Sequence, residues 1–558
     1  MSVLFVVLLA LALGLPVLLM LLLRPWRGDG ASLGALGALL PLASLPALGL
    51  ALLPAQHLQL HWLLLDTRLQ TGGLANAMLL LIGIAWTLSG WFASARITEA
   101  PRRFACFWLA CLFGIVLAVL AADLATFYFG YVVMSLAAYG LVVHDGSDQA
   151  RRAGRVYLVM TILAEGAVLA GLLLLAADYG MVPLDRLWMA QPLQGTASPL
   201  VAWLLLAGFG VKMGVAGLHL WLPVAHPVAP VPASAILSGV IVKAGMFGLV
   251  RLLPAEAFPA GATAALVGLG LFTAFFGVAM GLGQQRLKTV LAYSTVSQMG
   301  LLFAAAILAL AAPDRSLMLP MLGLLVLHHG LNKAALFVAA GHVPLRGRWA
   351  LGLMLLPALA LVALPLSSGA LAKQGLKLAF EQAGLGAAFG WLLGLGSAAT
   401  ALLLWRALNL ARTGTQAPAR IHPSLPLLVA AGILVPWLWA VHAGLAQWPD
   451  LGKWGDGLWP VLLAAALAWA WLRLTRTRPG WGRSIPEGDL LVAVEAALRG
   501  ARAWVQRHWP NPRQPQWPAV APALERLVID WERRLGSVAA AGLALMSLLL
   551  LVWLGWGR

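Results

Sequence analysis

The stretch LLLAGFGVKMGVAGLHLWLPVAHPVAP, residues 204–230, is almost wholly apolar except for one lysine, Lys212. Runs of this kind recur along the chain. Windows of roughly 20 residues, the length of an α-helix across ~30 Å of hydrocarbon, give about 14 to 16 membrane helices. They begin near residues 2, 32, 74, 104, 123, 156, 197, 229, 262, 289, 317, 349, 386, 424, 457 and 536. The bulk numbers agree: 558 residues, 61% hydrophobic and only 10% charged, far more apolar than a soluble core. A barrel would need alternating strands of roughly ten residues, which the long Leu/Ala/Val/Gly runs do not provide. The expected fold class is all-α, a polytopic membrane helix bundle. The first apolar stretch lacks a basic head and a small-residue cleavage site, and is followed by Arg24 and Arg27, so it reads as the first span and not as a signal peptide.

The formal charge of +17 does not imply a nucleic-acid partner. The basic residues cluster in nearly every second loop (Arg24 and Arg27; Arg96, Arg102 and Arg103; Arg151, Arg152 and Arg155; Arg286 and Lys288; Arg346 and Arg348; Arg406, Arg412 and Arg420), the pattern of cytoplasmic loops. With sixteen crossings the alternation places both termini outside, in an inner (plasma) membrane. Cys106 and Cys111 are five apart and belong to no CxxC or Cys/His cluster, so no iron–sulfur or zinc site is expected. No P-loop and no dinucleotide fingerprint occurs, so no cofactor and no catalytic centre are expected on this chain. Between the last two hydrophobic spans, residues 474–535 form a soluble insertion. Within it EGDLLVAVEAALRGARAWVQRHW (487–509) spaces Leu490, Leu491, Val494, Leu498, Ala501 and Val505 at helical intervals, with Glu and Arg on the other side. This amphipathic helix is expected on the cytoplasmic side, lying on lipid or along neighbouring helices or subunits.

The two cations are used differently. Of seven lysines, five (Lys212, Lys243, Lys333, Lys373 and Lys377) fall inside spans, whereas nearly all thirty arginines lie in loops or at helix ends. A buried lysine can release and regain a proton near neutral pH, while arginine stays charged. Placing one such group mid-bilayer costs ~2.5–3.5 kcal/mol on insertion scales, and groups kept at that cost usually face a hydrated path. Glu165 lies near the middle of the sixth span and is a counter-charge for Lys212 or Lys243. In LVLHHGLNKAALFVAAG, His329 and Lys333 are four apart on one helical face, a spacing suited to a relay, while His328 points about 100° away. His328, Lys377 and His226 are secondary candidates. Proline-rich GLHLWLPVAHPVAPVP after Lys212, and Pro365, Ser367, Ser368 and Gly369 before Lys373, predict interruptions in the seventh and twelfth spans. Two broken helices in corresponding positions point to two inverted five-helix repeats with ion sites at the breaks. The expected organisation is N-terminal spans (1–103), a first repeat (104–253), a second repeat (254–410), extra spans (411–473), the amphipathic segment (474–535) and a last helix (536–558).

Four ordered motifs, GLHLWLPVAHPVAPVPASAILSGVIVKAGMFGLVRLL (217–253), QQRLKTVLAYSTVSQMGLLF (284–303), LHHGLNKAALFVAAG (327–341) and LPLSSGALAKQGLKLAF (364–380), resemble the antiporter-like membrane subunits of respiratory complex I. That family includes the large subunits of Mrp-type sodium/proton antiporters and of membrane-bound hydrogenase and formate hydrogenlyase complexes. The resemblance covers roughly residues 100–385. It implies that Lys212 is the central lysine of broken helix 7, Lys243 the lysine of helix 8, His329 and Lys333 a relay in helix 11, and Lys373 the terminal lysine of broken helix 12, along a hydrated chain. The insertion is similar in layout to the lateral element of the largest such subunit, and the AHPVAPVPASA wording resembles the hydrogenase and Mrp branch. Two positions depart from the pattern. Val132 stands where the family carries a glutamate before its MSL triplet, so either Glu165 replaces that partner or Lys212 lacks one. Leu325 stands where an additional histidine is common.

The resemblance implies a proton-translocating subunit of a redox-driven complex, with other membrane and redox or antiporter subunits as partners. An Mrp-type cation/proton antiporter subunit, or an energy-coupling subunit for another solute such as inorganic carbon, is the nearer alternative. A non-conducting scaffold is the alternative of another class. Protons are favoured over sodium because the interior is richer in lysine than in carboxylate.

Overall fold

The computed structural model describes residues 2–23, 37, 39–180, 183–184, 199–253, 261–312, 318–344, 348–384, 386–413, 420–446, 454–477 and 485–508. Among these residues twelve helices are long and apolar enough to cross a membrane, with three shorter apolar helices besides. Every expected span but two has a helix at its place. Around the second, the described residues hold only a 3₁₀ turn and the short α2 (Leu45–Ala51). The last, 536–558, lies outside the described residues.

Long helices α1 (Val3–Leu23) and α3 (Gly73–Arg96) precede a run of five elements: α4 (Pro101–Leu120), α5 (Leu124–Val142), α6 (Asp148–Tyr179), the broken pair α7 (Pro199–Met213) and α8 (Trp221–Val228), and the pair α9 (Val231–Ile236) and α10 (Val242–Leu252). The same order follows in α11 (Ala262–Leu282), α12 (Leu287–Ala311), α13 (Met318–Ala340), the broken pair α14 (Arg348–Val362) and α15 (Ser368–Gln382), and α16 (Gly386–Arg412). After these come α17 (Ser424–His442), α18 (Trp454–Thr477) and α19 (Leu490–His508). Among the described residues the bundle departs from all-α at a hairpin of β1 (His57–Leu60) and β2 (Thr67–Gln70), with His57 opposite Gln70. It is tied to the bundle by Asp123, which caps α5 by accepting from Thr126 N at 2.8 Å and accepts Arg68 N at 2.8 Å with its other oxygen.

Small residues set the packing. A Cβ added to Gly114 of α4 would meet the Gly130 carbonyl of α5 at 2.7 Å, and one added to Gly270 of α11 would meet the Gly300 carbonyl of α12 at 2.7 Å. The first two helices of each run therefore cross at glycine pairs, the close approach that apolar surroundings favour. A third pair, Gly239 and Gly330, brings the α9–α10 element against α13, since a Cβ on Gly330 would lie 2.7 Å from the Gly239 carbonyl. The α9–α10 element and α13 are wholly buried, whereas α1 and α18 present most of their surface outward. The elements that bear Lys243 and Lys333 thus occupy the centre.

Both predicted interruptions are present; the first turns on glycine, and the second holds Pro365 between two residues of positive φ. The chain leaves α7 through Gly214 (φ +76°) and Gly217 (φ +87°), a region glycine enters without steric cost. It leaves α14 through Ala363 (φ +67°) and Leu366 (φ +66°), where a side chain costs roughly 1–2 kcal/mol per residue. Gly369 then packs onto the Ala360 carbonyl with no room for a Cβ. Downstream of the first break, Pro223 and Pro232 fall in the first turns of α8 and α9, where a missing N–H costs least, while Pro227 lies inside α8.

Candidate functional site

Lys212, at the end of α7, is fully enclosed, and its Nζ donates to Ser135 Oγ on α5 at 2.7 Å. The same ammonium sits 5.3 Å from the ring of Tyr131 and 5.6 Å from that of Tyr157. Ser135 Oγ in turn donates to the Tyr131 carbonyl at 2.9 Å, and Glu165 on α6 is a buried residue whose charge is felt at Lys212. Ser135 lies in the MSL triplet beside Val132, so the serine of that motif and the glutamate of the next helix together face the lysine.

Lys243 follows a π-turn over Leu237–Ile241. Such a turn frees backbone carbonyls, and Lys243 Nζ donates to that of Ser238. Ser238 Oγ in turn lies 2.7 Å from Thr295 Oγ1 of α12. Lys333 of α13 donates to the Leu291 carbonyl at 3.0 Å. Both lysines are completely buried, close enough to act on one another, and act also on His226, which stacks on Phe337 with ring centroids 4.6 Å apart. Neither ring nitrogen of His226 or of His329 has a protein partner. Buried polar atoms in this state are where internal water usually resides.

His328 and His329 line one small cavity with Gln298, Lys373, Ser397 and Thr400. Its volume of about 50 Å³ gives room for about three to five waters at roughly 10–15 Å³ each. His328 points away from its neighbour as the spacing predicts, yet it is the residue with a polar contact into the second break: its Nδ1 lies 2.9 Å from Ser368 Oγ, which donates to Gly432 O at 3.1 Å. Asn332 donates to the His328 carbonyl at 2.7 Å. Lys373 also lines a second, wider cavity of about 400 Å³ with Lys377, Glu381 and Asp456. There Lys373 Nζ donates to the Asp456 carbonyl at 3.3 Å, and Lys377 Nζ lies 4.0 Å from the Asp456 carboxylate. Lys373 and Lys377 therefore stand at the mouth of the interior, less enclosed than the three central lysines.

Seven of the nine candidates are buried, in the groups Glu165 and Lys212; Lys243, Lys333 and His226; and His328 and His329, while Lys373 is half-buried and Lys377 exposed. The sequence reading passed over Ser135, Ser238, Gln298, Asn332, Ser368 and Asp456. Hydroxyl and amide residues are common in helices, and only the contact with a buried ammonium or imidazole distinguishes these. Among the described residues no three His, Cys, Asp or Glu side chains gather as a metal-holding group.

The residues that carry this geometry match a known family. Residues 121–383 match the family described as NADH:quinone oxidoreductase/Mrp antiporter, TM. The chain is 30% identical over 299 residues to NADH-quinone oxidoreductase subunit M of Pseudomonas aeruginosa, covering 50% of this chain and 56% of that protein. It is 31% identical over 300 residues to the A/B component of a probable K(+)/H(+) antiporter of Rhizobium meliloti, covering 51% of this chain and 29% of that one. The chain thus spans about half or less of the relatives it matches. In fold it is similar, with a TM-score of 0.65 at 19% identity, to a chain of the membrane-bound sulfane sulfur reductase, an archaeal respiratory membrane complex, covering 82% of this chain and 98% of that one. Residues 121–383, which hold the broken helices and all nine of these side chains, thus match the NADH:quinone oxidoreductase/Mrp antiporter transmembrane family over somewhat less than half of the chain.

Proposed function

We propose that this chain moves protons through the membrane interior as one subunit of a larger assembly. The observation that carries the reading is the sequence of buried groups from Glu165 and Lys212, past Lys243 and Lys333, to the histidine-lined cavity and Lys373, which opens on the wide cavity beside Asp456. Three ammonium groups buried without a carboxylate in direct contact are costly. They are retained at little further cost if each is charged only in turn. Charging one then disfavours charge on the next, and the pair titrates as a unit. The two runs α4–α10 and α11–α16 would form inverted units, each placing its broken helix at one end of this line.

The interior offers amines and imidazoles and few oxygen clusters, which favours protons over sodium. The driving reaction would come from partner subunits, of the redox kind in a complex I-like or hydrogenase-like assembly within an inner (plasma) membrane. An Mrp-type antiporter or solute-coupling role is the second reading, favoured by the match to an antiporter component. Mild-detergent co-purification with mass spectrometry separates them: iron–sulfur and quinone-reactive partners support the first, and small membrane proteins alone support the second. In proteoliposomes, Lys212→Ala and Lys333→Ala are each expected to lower proton flux at least tenfold. Wild-type flux in both variants would reduce the chain to a scaffold.

A further inference from the structure

The short stretch Ile485–Leu491, which leads into the first turn of α19, crosses the ends of α8, α11 and α12 and is anchored at several points. Ile485 N donates to the Gly283 carbonyl at 3.2 Å, Glu487 accepts from Thr289 at 2.9 Å and pairs with Arg286 at 3.3 Å, and Leu491 is buried. Farther along α19, Arg152 of α6 grips Glu495 with bonds of 2.9–3.1 Å. Through this clasp Glu495 faces the bundle, whereas Leu490 and Val494 are exposed.

Between these anchors the segment pushes one carboxylate into the bundle. Asp489, whose side chain is 4% exposed, lies with its Oδ2 3.0 Å from His219 Nε2 and accepts from Tyr293 OH at 2.8 Å. Its other oxygen faces the Leu490 amide. Since Tyr293 spends its proton on the same oxygen, His219 Nε2 is the hydrogen-carrying nitrogen of a neutral or charged ring. His219 belongs to the Gly214–Leu220 break that follows Lys212, and is itself completely buried. Its remaining nitrogen, Nδ1, is buried with no protein partner. The ring is otherwise faced by Phe276 of α11, with centroids 5.1 Å apart, and by Tyr293 of α12. The nearby formal charges are those of Asp489 itself and the more distant Glu487 and Arg286.

We propose that the segment before α19 supplies a working residue of the proton path: Asp489 holds His219, at the break of the seventh span, as a proton-accepting station on the side of Arg286 and Lys288. A proton arriving at Nδ1 converts His219 to imidazolium paired with the Asp489 carboxylate. Loss of the same proton from Nδ1 returns the neutral ring, with Nε2–H still bonded to Asp489, so no other proton or electron is involved. Asp489 acts through His219 and is a positioning residue. The inference rests on the proton-moving reading above, and it adds that a segment outside the family's matched residues completes the path.

The test uses the full chain with its co-purifying subunits in proteoliposomes, reading proton flux against pH and, separately, protection of residues 485–495 from hydrogen exchange. Asp489→Asn and His219→Gln keep hydrogen-bonding shape but remove, respectively, the charge and the titration. Arg152→Ala loosens the clasp without touching His219. The proposal expects Asp489→Asn and His219→Gln to lose at least tenfold in flux, or to move the flux–pH profile by a unit or more, while the segment stays protected. Asp489→Glu should recover part of the flux. Wild-type flux and profile in either protected variant would overturn it. A loss seen only where protection is also lost, as in Arg152→Ala, would overturn it too, leaving a structural clasp. Lys333→Ala serves as the reference: if that variant also conducts normally, the proton-moving reading itself has failed, which is a different result.

Discussion

Ser135 shows how much one hydroxyl decides at the scale of a residue. Its oxygen accepts from the Lys212 ammonium while its hydrogen goes to the Tyr131 carbonyl one turn back, so it holds Lys212 against α5 within reach of the Glu165 charge. A hydrogen bond to a charged group contributes about 1.5–3 kcal/mol, and about 1.4 kcal/mol is a factor of ten. Ser135→Ala is therefore expected to reduce proton flux about tenfold or more, with Ser135→Thr retaining most of it. If the coupling runs through Ser135, the Ser135→Ala/Glu165→Gln double variant will lose little more than the worse single variant. Fully additive losses would show that Glu165 acts on Lys212 by another route. A second residue-scale device stands where α13 gives way to its following loop. His342 Nδ1 lies 3.0 Å from the Val338 carbonyl, so Nδ1 carries the hydrogen and Nε2 is free to accept His422 N at 3.0 Å. Burial, helped by Arg96 and His422, holds His342 below the usual histidine range, against the opposing pull of Val338. A histidine so depressed lends stability above its unfolded value near 6.5 and loses it as pH falls below that. Exchange protection at the His422 amide should weaken between pH 7 and pH 5 after correction for intrinsic rate, and His342→Gln should abolish that pH dependence. Protection unchanged across the range would disprove the acceptor role.

At the scale of elements, the two helix breaks look alike in place but differ in cost. Gly217 has open space where a Cβ would go, so Gly217→Ala tests φ alone. It is expected to destabilise by roughly 1–2 kcal/mol. Ala363→Gly in the other break relieves a similar strain, offset by the ~0.5–1 kcal/mol of extra chain entropy that glycine loses on folding. It should be neutral or mildly stabilising. Thermal unfolding in detergent gives the sign of both; equal destabilisation would mean that the positive φ angles do not control these breaks. Gly239 and Gly330 form the crossing between the Lys243 and Lys333 elements, and Gly330→Ala would drive a methyl group to 2.7 Å from a carbonyl. That variant is expected to lose stability and flux together.

For the whole molecule, the segment before α19 is the part whose attachment titrates outside the membrane. Burial alone would raise the Asp489 carboxyl, but hydrogen bonding and charge from His219, with the Tyr293 hydroxyl and the Leu490 amide, outweigh it and hold the group below the usual carboxylate range. A depressed carboxyl lends stability above its unfolded value near 3.9, lost as pH falls through the lower folded value. Protection of residues 485–491 should thus persist from pH 7 to about pH 4 and disappear only below, and Asp489→Asn should flatten that acid limb. Release of the segment already at pH 5 to 6 would contradict this account of its docking.

The sequence alone determined the bundle and its centre. Apolar runs of membrane length admit only helices, and lysines spread through such runs mark the interior because their burial cost must be met by something. Lys212, Lys243, Lys333 and Lys373 were legible for that reason, as were both interrupted spans, whose proline and glycine content is a local property. What tertiary structure decided is partnership. Ser135 and Glu165 face Lys212 from two different helices, Ser368 reaches His328 across 40 positions, and Asp489 meets His219 across 270. Hydrogen bonds between residues so far apart in the chain are fixed by how helices cross, and those crossings depend on glycine contacts of a few ångströms that no periodicity records. The docking of α19 was settled in the same way: the helical spacing marks Leu490, Leu491 and Val494, but only the Arg152–Glu495 clasp and the buried Asp489 side chain fix how the helix meets the bundle, with Leu491 buried and Leu490 and Val494 exposed.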